Sequence, residues 1–133
     1  MSLVLVDTSL WIDFFRGNAV ASALHTLIES NQIAINELIL AELLPSIVVK
    51  KEDNLHRLLL AVRKVELRID WQEITRMQTR NLESGNNPVG IPELIIAQNA
   101  LQNELILFEN DKHFRNMKSL FGLELLRKQE SES

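Results

Sequence analysis

Cysteine is absent from the 133 residues. Disulfides, thiolate metal sites and cysteine nucleophiles are therefore excluded together. That suits a reducing compartment, and a cytoplasmic protein is expected. No apolar run approaches the length needed to cross a bilayer, so no membrane association is expected. The first apolar run, "LVLV" at 3–6, meets Asp7 too early to serve as a signal peptide. Positive charge is also not in excess, the formal net charge being -4. A constitutive nucleic-acid coat would be basic. A nucleic-acid enzyme is still allowed if acids gather at a metal and bases line its rim. Internal repeats and low-complexity blocks are missing as well. What is present is 46% hydrophobic and 24% charged residues, the balance of a globular domain. The length suits one domain that buries roughly two thirds of its unfolded surface.

"LVLV" predicts a short buried strand, and residues 9–16 a short helix stopped by Gly17 at its C′ position. Val20, Leu24, Leu27 and Ile28 give helical spacing across 19–30. "IAI" (33–35) predicts a second strand, and "ELILAELLPSIVV" a helix that Pro45 should kink or end. Leu55, Leu58, Leu59 and Val62 mark a further amphipathic helix over 52–63. "VELRI" (65–69) alternates like a strand. "DWQE" then predicts a capping box, Asp70 at the N-cap and Glu73 at N3, with a helix running to about Leu82. "SGNNPVG" is the clear loop, and it lacks the lysine and context of a phosphate loop. A helix over 92–103, the strand "LILF" (105–108), a short helix and "LELL" (123–126) complete the pattern. Strands alternating with helices predict an α/β fold with a central parallel sheet covered on both faces. Residues 1–126 form that domain, and 127–133 a polar tail with no reason to fold.

In such sheets ligands bind beyond the carboxyl ends of the strands. Asp7 ends the first strand, and Asp111 stands three residues beyond "LILF". Glu93 follows Pro92 in a first helical turn, and Glu42 sits in "LAELL" with so little polar face that a buried place at a site edge is favoured. Each acid also has an ordinary explanation: Asp7 and Asp111 satisfying helix amides, Glu93 favouring a helix dipole, Glu42 facing solvent. Asp70 has its capping box and Asp13 a solvated helix face, so neither is assigned to a site. His25, His56 and His113 lack paired metal-ligand spacing. Four converging carboxylates would need a cation, and all-oxygen donors select Mg2+ or Mn2+ over zinc. Ser9 adds a hydroxyl beside Asp7, while Lys50, Lys51, Lys112 and Arg115 are candidate phosphate contacts. "LILAELLPSIVV" holds more apolar residues than one helix face needs, as a core helix or a partner groove would.

"VDTSLWIDFFRG", "LAELL", "VGIPELIIAQNAL" and "LILFENDKHF" together resemble the PIN-domain ribonucleases, and among them the VapC-type toxins of bacterial toxin–antitoxin pairs. The likeness extends from residue 3 to about 115 in the family's order. It implies a three-layer α/β/α fold and an acidic pocket that binds Mg2+ or Mn2+ to hydrolyse RNA. The family's four acids fall on Asp7, Glu42, Glu93 and Asp111, and its hydroxyl residue on Ser9. It also implies a cognate antitoxin protein and a homodimer. Two positions depart from the pattern: Glu93 replaces the usual aspartate, and Glu109 a small polar residue. Glu93 moves a carboxylate by about an ångström, and Glu109 adds negative charge as a further ligand, a perturber of its neighbours or a solvent-facing group. A catalytically weakened PIN-like module that binds a partner protein is the alternative expectation. A phospho-accepting receiver domain is disfavoured, because Thr8 and Ser9 follow Asp7 where a second acid is needed.

Overall fold

The computed structural model describes residues 3–18, 21–110 and 112–127, without the side chains of Lys112 and Arg127. The chain runs β1 (Val4–Val6), α1 (Thr8–Phe15), α2 (Ala21–Glu29), β2 (Ile33–Ile35), α3 (Glu37–Val49) and α4 (Asp53–Ala61). It continues through β3 (Arg63–Lys64), α5 (Trp71–Glu83), α6 (Ile91–Gln102), β4 (Ile106–Glu109), α7 (Lys112–Phe121) and β5 (Leu125–Arg127). The strands form one sheet in the order β3-β2-β1-β4-β5, and every pairing is parallel. Helices cover it in the expected three-layer α/β/α arrangement. Every residue of β1 and β2 is buried, which is why both read as unbroken apolar runs rather than as alternation. Trp11, Leu24, Ile39, Leu94, Leu107 and Phe114 are all wholly buried and fill the core.

Local signals hold where one residue meets one backbone requirement. Gly17 adopts φ +71° just past α1, and its N–H donates to the Phe14 carbonyl at 3.0 Å. Asp70 caps α5, its Oδ1 accepting from the Glu73 N–H at 3.1 Å. The reciprocal bond of the capping box is replaced. Gln98 Oε1 accepts the Asp70 N–H at 3.1 Å, while Gln98 Nε2 donates to Glu73 Oε1 at 2.6 Å. Pro45 does not end α3, which runs on to Val49. The carbonyl that Pro45 leaves unbonded is that of Ala41, and both residues are exposed, so water can serve it.

The expected strand at 65–69 is absent; β3 stops at Lys64 and irregular backbone runs from 65 to 70. Its alternation is nevertheless used. Asn99 Nδ2 donates to the Glu66 carbonyl (2.9 Å), Gln102 Nε2 to that of Arg68 (2.9 Å) and Gln98 Nε2 to that of Asp70 (3.1 Å). Alternate carbonyls of an extended segment point one way, and residues three and four apart on α6 share a face. A row of side-chain amides thus takes the place of a neighbouring strand.

One of those amides, Asn99, reaches further. Asn36, wholly buried, caps α3 by accepting the Ile39 N–H at 2.9 Å, and its Nδ2 donates to Asn99 Oδ1 at 3.0 Å. The loop before α6 is held the same way. Gln78 exchanges bonds with both the N–H and carbonyl of Val89 (3.1 and 2.6 Å), and Asn81 Nδ2 donates to the Asn87 carbonyl at 2.8 Å.

Replacing Asn99 with leucine strands the wholly buried Asn36 amide and takes the partner from the part-buried Glu66 carbonyl. Each orphaned group costs about 1–3 kcal/mol. Urea unfolding of Asn99→Leu should show a loss of about 2 kcal/mol or more, whereas exposed Gln102→Leu should lose under about 0.5 kcal/mol.

Candidate active site

The chain leaves β1 for β2 and β3 on one side, while β4 and β5 lie on the other. The strand order therefore reverses beside β1, and the crevice opens at the carboxyl ends of β1 and β4. Asp7 is the first residue beyond β1. Its N–H donates to the Phe108 carbonyl at 3.0 Å, and its carbonyl accepts from the Leu10 and Trp11 N–H groups, which makes it the N-cap of α1. Its carboxylate makes no capping bond. It accepts instead from Ser9 Oγ at 2.9 Å and is 8% exposed. Capping therefore does not account for the acid at this position.

Glu109 closes β4 on the adjacent strand and is wholly buried. The register that pairs Val6 with Phe108 carries on to place Asp7 and Glu109 side by side, on backbones about 5 Å apart. Of the three roles open to Glu109 in the sequence, facing solvent is overturned, because the end of β4 lies inside the sheet's interior. Two buried acids are thus brought to adjacent strand ends, where a nearby positive charge favours their ionised forms.

Glu42 reaches the same end of the sheet from α3. Thr8 Oγ1 donates to Glu42 Oε1 at 2.6 Å, across 34 positions of sequence. Glu42 is exposed rather than buried. The apolar face of α3 is satisfied by Ile39, Leu40, Leu43 and Ile47, which leaves Glu42 on the flank that meets α1. Glu93, half-buried in the first turn of α6, folds its carboxylate back over Gly90. A Cβ at Gly90 would collide with Glu93 Oε2, although the φ of −61° suits any residue. A side chain at position 90 would thus be accommodated only by moving the Glu93 carboxylate, not by any change of backbone.

Asp111 and the side chain of Lys112 lie outside the described residues. Among the described residues, no three acidic or histidine side chains gather closely enough to hold an ion by themselves. Among the described residues, the Ser9 hydroxyl on Asp7 and the carboxylate of Glu109 on the next strand are oxygen donors, which fit a hard divalent cation. Lys50 and Arg16 line a groove of about 240 Å³ between α1 and α3 that also includes Glu42, Ser46 and Ile12. Lys51 lies apart, in a depression at the start of α4, and Arg115 is exposed on α7. Sequence reasoning placed Ser9 beside Asp7 but gave Thr8 no part in the site, and so missed the bond from Thr8 to Glu42. Spacing carries no signal for a contact that depends on how α1 meets α3.

A parallel sheet that leaves an uncapped aspartate at its switch point, with further acids arriving from neighbouring elements, places the chain among α/β folds with an acidic crevice. Residues 4–120 match the PIN domain family pattern, and the chain belongs to that family. Its fold is similar to that of VapBC2 from Rickettsia felis, solved bound to a DNA fragment from their promoter, with TM-score 0.74 and 18% identity over 96% of this chain and 99% of that one. DNA-bound VapBC from Salmonella typhimurium gives TM-score 0.72 and 15% identity, covering 96% and 98%. FitAcB from Neisseria gonorrhoeae gives 0.69 and 18%, covering 92% and 96%. At these identities the likeness establishes the fold. No curated protein sequence matches the chain. No helix among the described residues is long and apolar enough to cross a membrane.

Asp7 and Asp70 are both N-caps, but only Asp70 caps with its side chain. Asp70→Ala should therefore lose about 1 kcal/mol of unfolding free energy. Urea unfolding measures this loss.

Proposed function

We propose that this PIN domain is an endoribonuclease that depends on Mg2+ or Mn2+, and that it is the VapC-type toxin of a toxin–antitoxin pair, acting in the cytoplasm. One observation carries it: the Asp7 carboxylate, at the end of the central strand, is buried beside Glu109 and not used to cap its own helix. Asp7, Glu42, Glu93 and Asp111 are the metal-holding and catalytic acids. When bound, the ion draws charge from the phosphate and makes a water a better nucleophile near neutral pH. Ser9 fixes the rotamer of Asp7, and the amides of Gln78 and Asn81 fix the loop from which Glu93 starts. Water adds to phosphorus in line, the bond from phosphorus to O3′ breaks, and the departing oxygen takes a proton. The products are a 5′-phosphate and a 3′-hydroxyl. Lys50, Lys51, Lys112 and Arg115 are assigned to phosphate contacts at the rim.

The partners assigned are an RNA substrate, a cognate antitoxin protein and a second copy of this chain. The antitoxin is supported by similar folds solved as VapBC and FitAcB. A second function, a weakened module that binds a partner protein without cleaving RNA, is favoured by wholly buried Glu109, which adds an acid beside Asp7.

Purified protein with Mg2+ or Mn2+ should cleave RNA. Chelator should abolish cleavage, and Asp7→Asn should reduce it by at least about 100-fold. Cleavage untouched by both rules out this chemistry. Activity gained only in Glu93→Asp, from an inactive parent, establishes the binding module instead. Gly90→Ala should fold normally but slow cleavage, because its methyl group displaces the Glu93 carboxylate.

A further inference from the structure

The first turn of α1 offers two adjacent hydroxyls to two different acids. Ser9 donates to Asp7, two residues back in sequence, while Thr8 donates to Glu42 on another helix. Local geometry accounts for the first bond. The second joins two elements, α1 and α3, that share no loop and are separated by α2 and β2. Glu42 needs such a tether. It is exposed on a helix flank, with three rotatable bonds, and no ion pair is recorded for it among the described residues. An untethered glutamate there would sample solvent-facing rotamers and spend little time over the crevice. The bond of 2.6 Å uses Oε1 and leaves Oε2 available to a ligand. Because Thr8 directly follows Asp7, the tether also ties Glu42 to the acid at the switch point.

We propose that Thr8 is the positioning residue for Glu42: its hydroxyl holds the carboxylate over the crevice, in place for a divalent cation and the RNA phosphate it serves. This rests on the ribonuclease function proposed above. Thr8 touches neither substrate nor ion and acts only through Glu42. The effect belongs to the oxygen, not to the size of the side chain. Thr8→Val keeps the shape and removes the donor, whereas Thr8→Ser keeps the donor and removes a methyl group.

The test uses the full chain, without and with Mn2+. Mn2+ alone is titrated calorimetrically into wild type, Thr8→Val, Thr8→Ser, Glu42→Ala and the double variant Thr8→Val/Glu42→Ala. RNA cleavage and circular dichroism are followed in parallel. Thr8→Val should weaken Mn2+ binding and lower kcat by about tenfold, with KM for RNA nearly unchanged. Thr8→Ser should recover to within about threefold of wild type, and Thr8→Val should add nothing once Glu42 is alanine. Wild-type binding and cleavage by Thr8→Val overturn the proposal. So does a Thr8→Ser variant as impaired as Thr8→Val, or an undiminished effect of Thr8→Val in the Glu42→Ala background. If Thr8→Val unfolds, Thr8→Ser and Thr8→Ala decide: recovery in serine alone supports the tether, and equal behaviour overturns it. Failure of wild type itself to bind Mn2+ or cleave RNA removes the parent function, a result distinct from any of these.

Discussion

The hydrogen bond of 3.0 Å between Asn36 and Asn99 is the contact on which the arrangement of the acids depends. Asn36 ends the second strand and begins α3; Asn99 lies two turns into α6. The first helix carries Glu42 and the second Glu93. Both amides are almost wholly buried, so neither can exchange its partner for water. In a dry interior a bond made at the wrong register leaves polar groups stranded, and this cost selects a single arrangement. Apolar packing alone would hold the helices together with less control over how they slide. The amide pair fixes both how far α3 advances toward the crevice and where α6 begins.

Much of the architecture was legible because β1 and β2 are buried on both faces and Gly17, Asp70 and Pro92 mark helix ends by local chemistry. The segment 65–69 shows where legibility stops. Its alternation of side chains is real, but a strand is defined by its neighbour, and here the neighbour is a row of amides on α6. Pro45 likewise has the ordinary power to break a helix. Its position on the exposed flank of α3 lowers the penalty, because water can serve the freed carbonyl. In both cases the deciding partner lies elsewhere in the chain, where a local window cannot see it.

The acids divide along the same line. Asp7 was identifiable from the end of its strand, and Glu93 from Pro92 and the helix start. Glu42 was identified as a site candidate but expected to be buried, because "LAELL" hides how narrow the covered face of α3 is. Glu109 was recognised only as a departure from a familiar pattern, and its complete burial came from the sheet. Thr8 was passed over, since a threonine after an aspartate has an adequate local explanation. Side chains that act by holding another side chain are the hardest to read from order alone.

The amide row has a consequence for how the molecule keeps company. A parallel sheet ends in a strand whose outer backbone groups invite a foreign chain to join it, the first step toward fibrils. Here that border is only two residues long, Arg63 and Lys64, both exposed and both charged. The stretch that follows has already given alternate carbonyls to glutamine and asparagine. At this flank the protein is finished with its own material, and a passing strand finds like charges and few free acceptors.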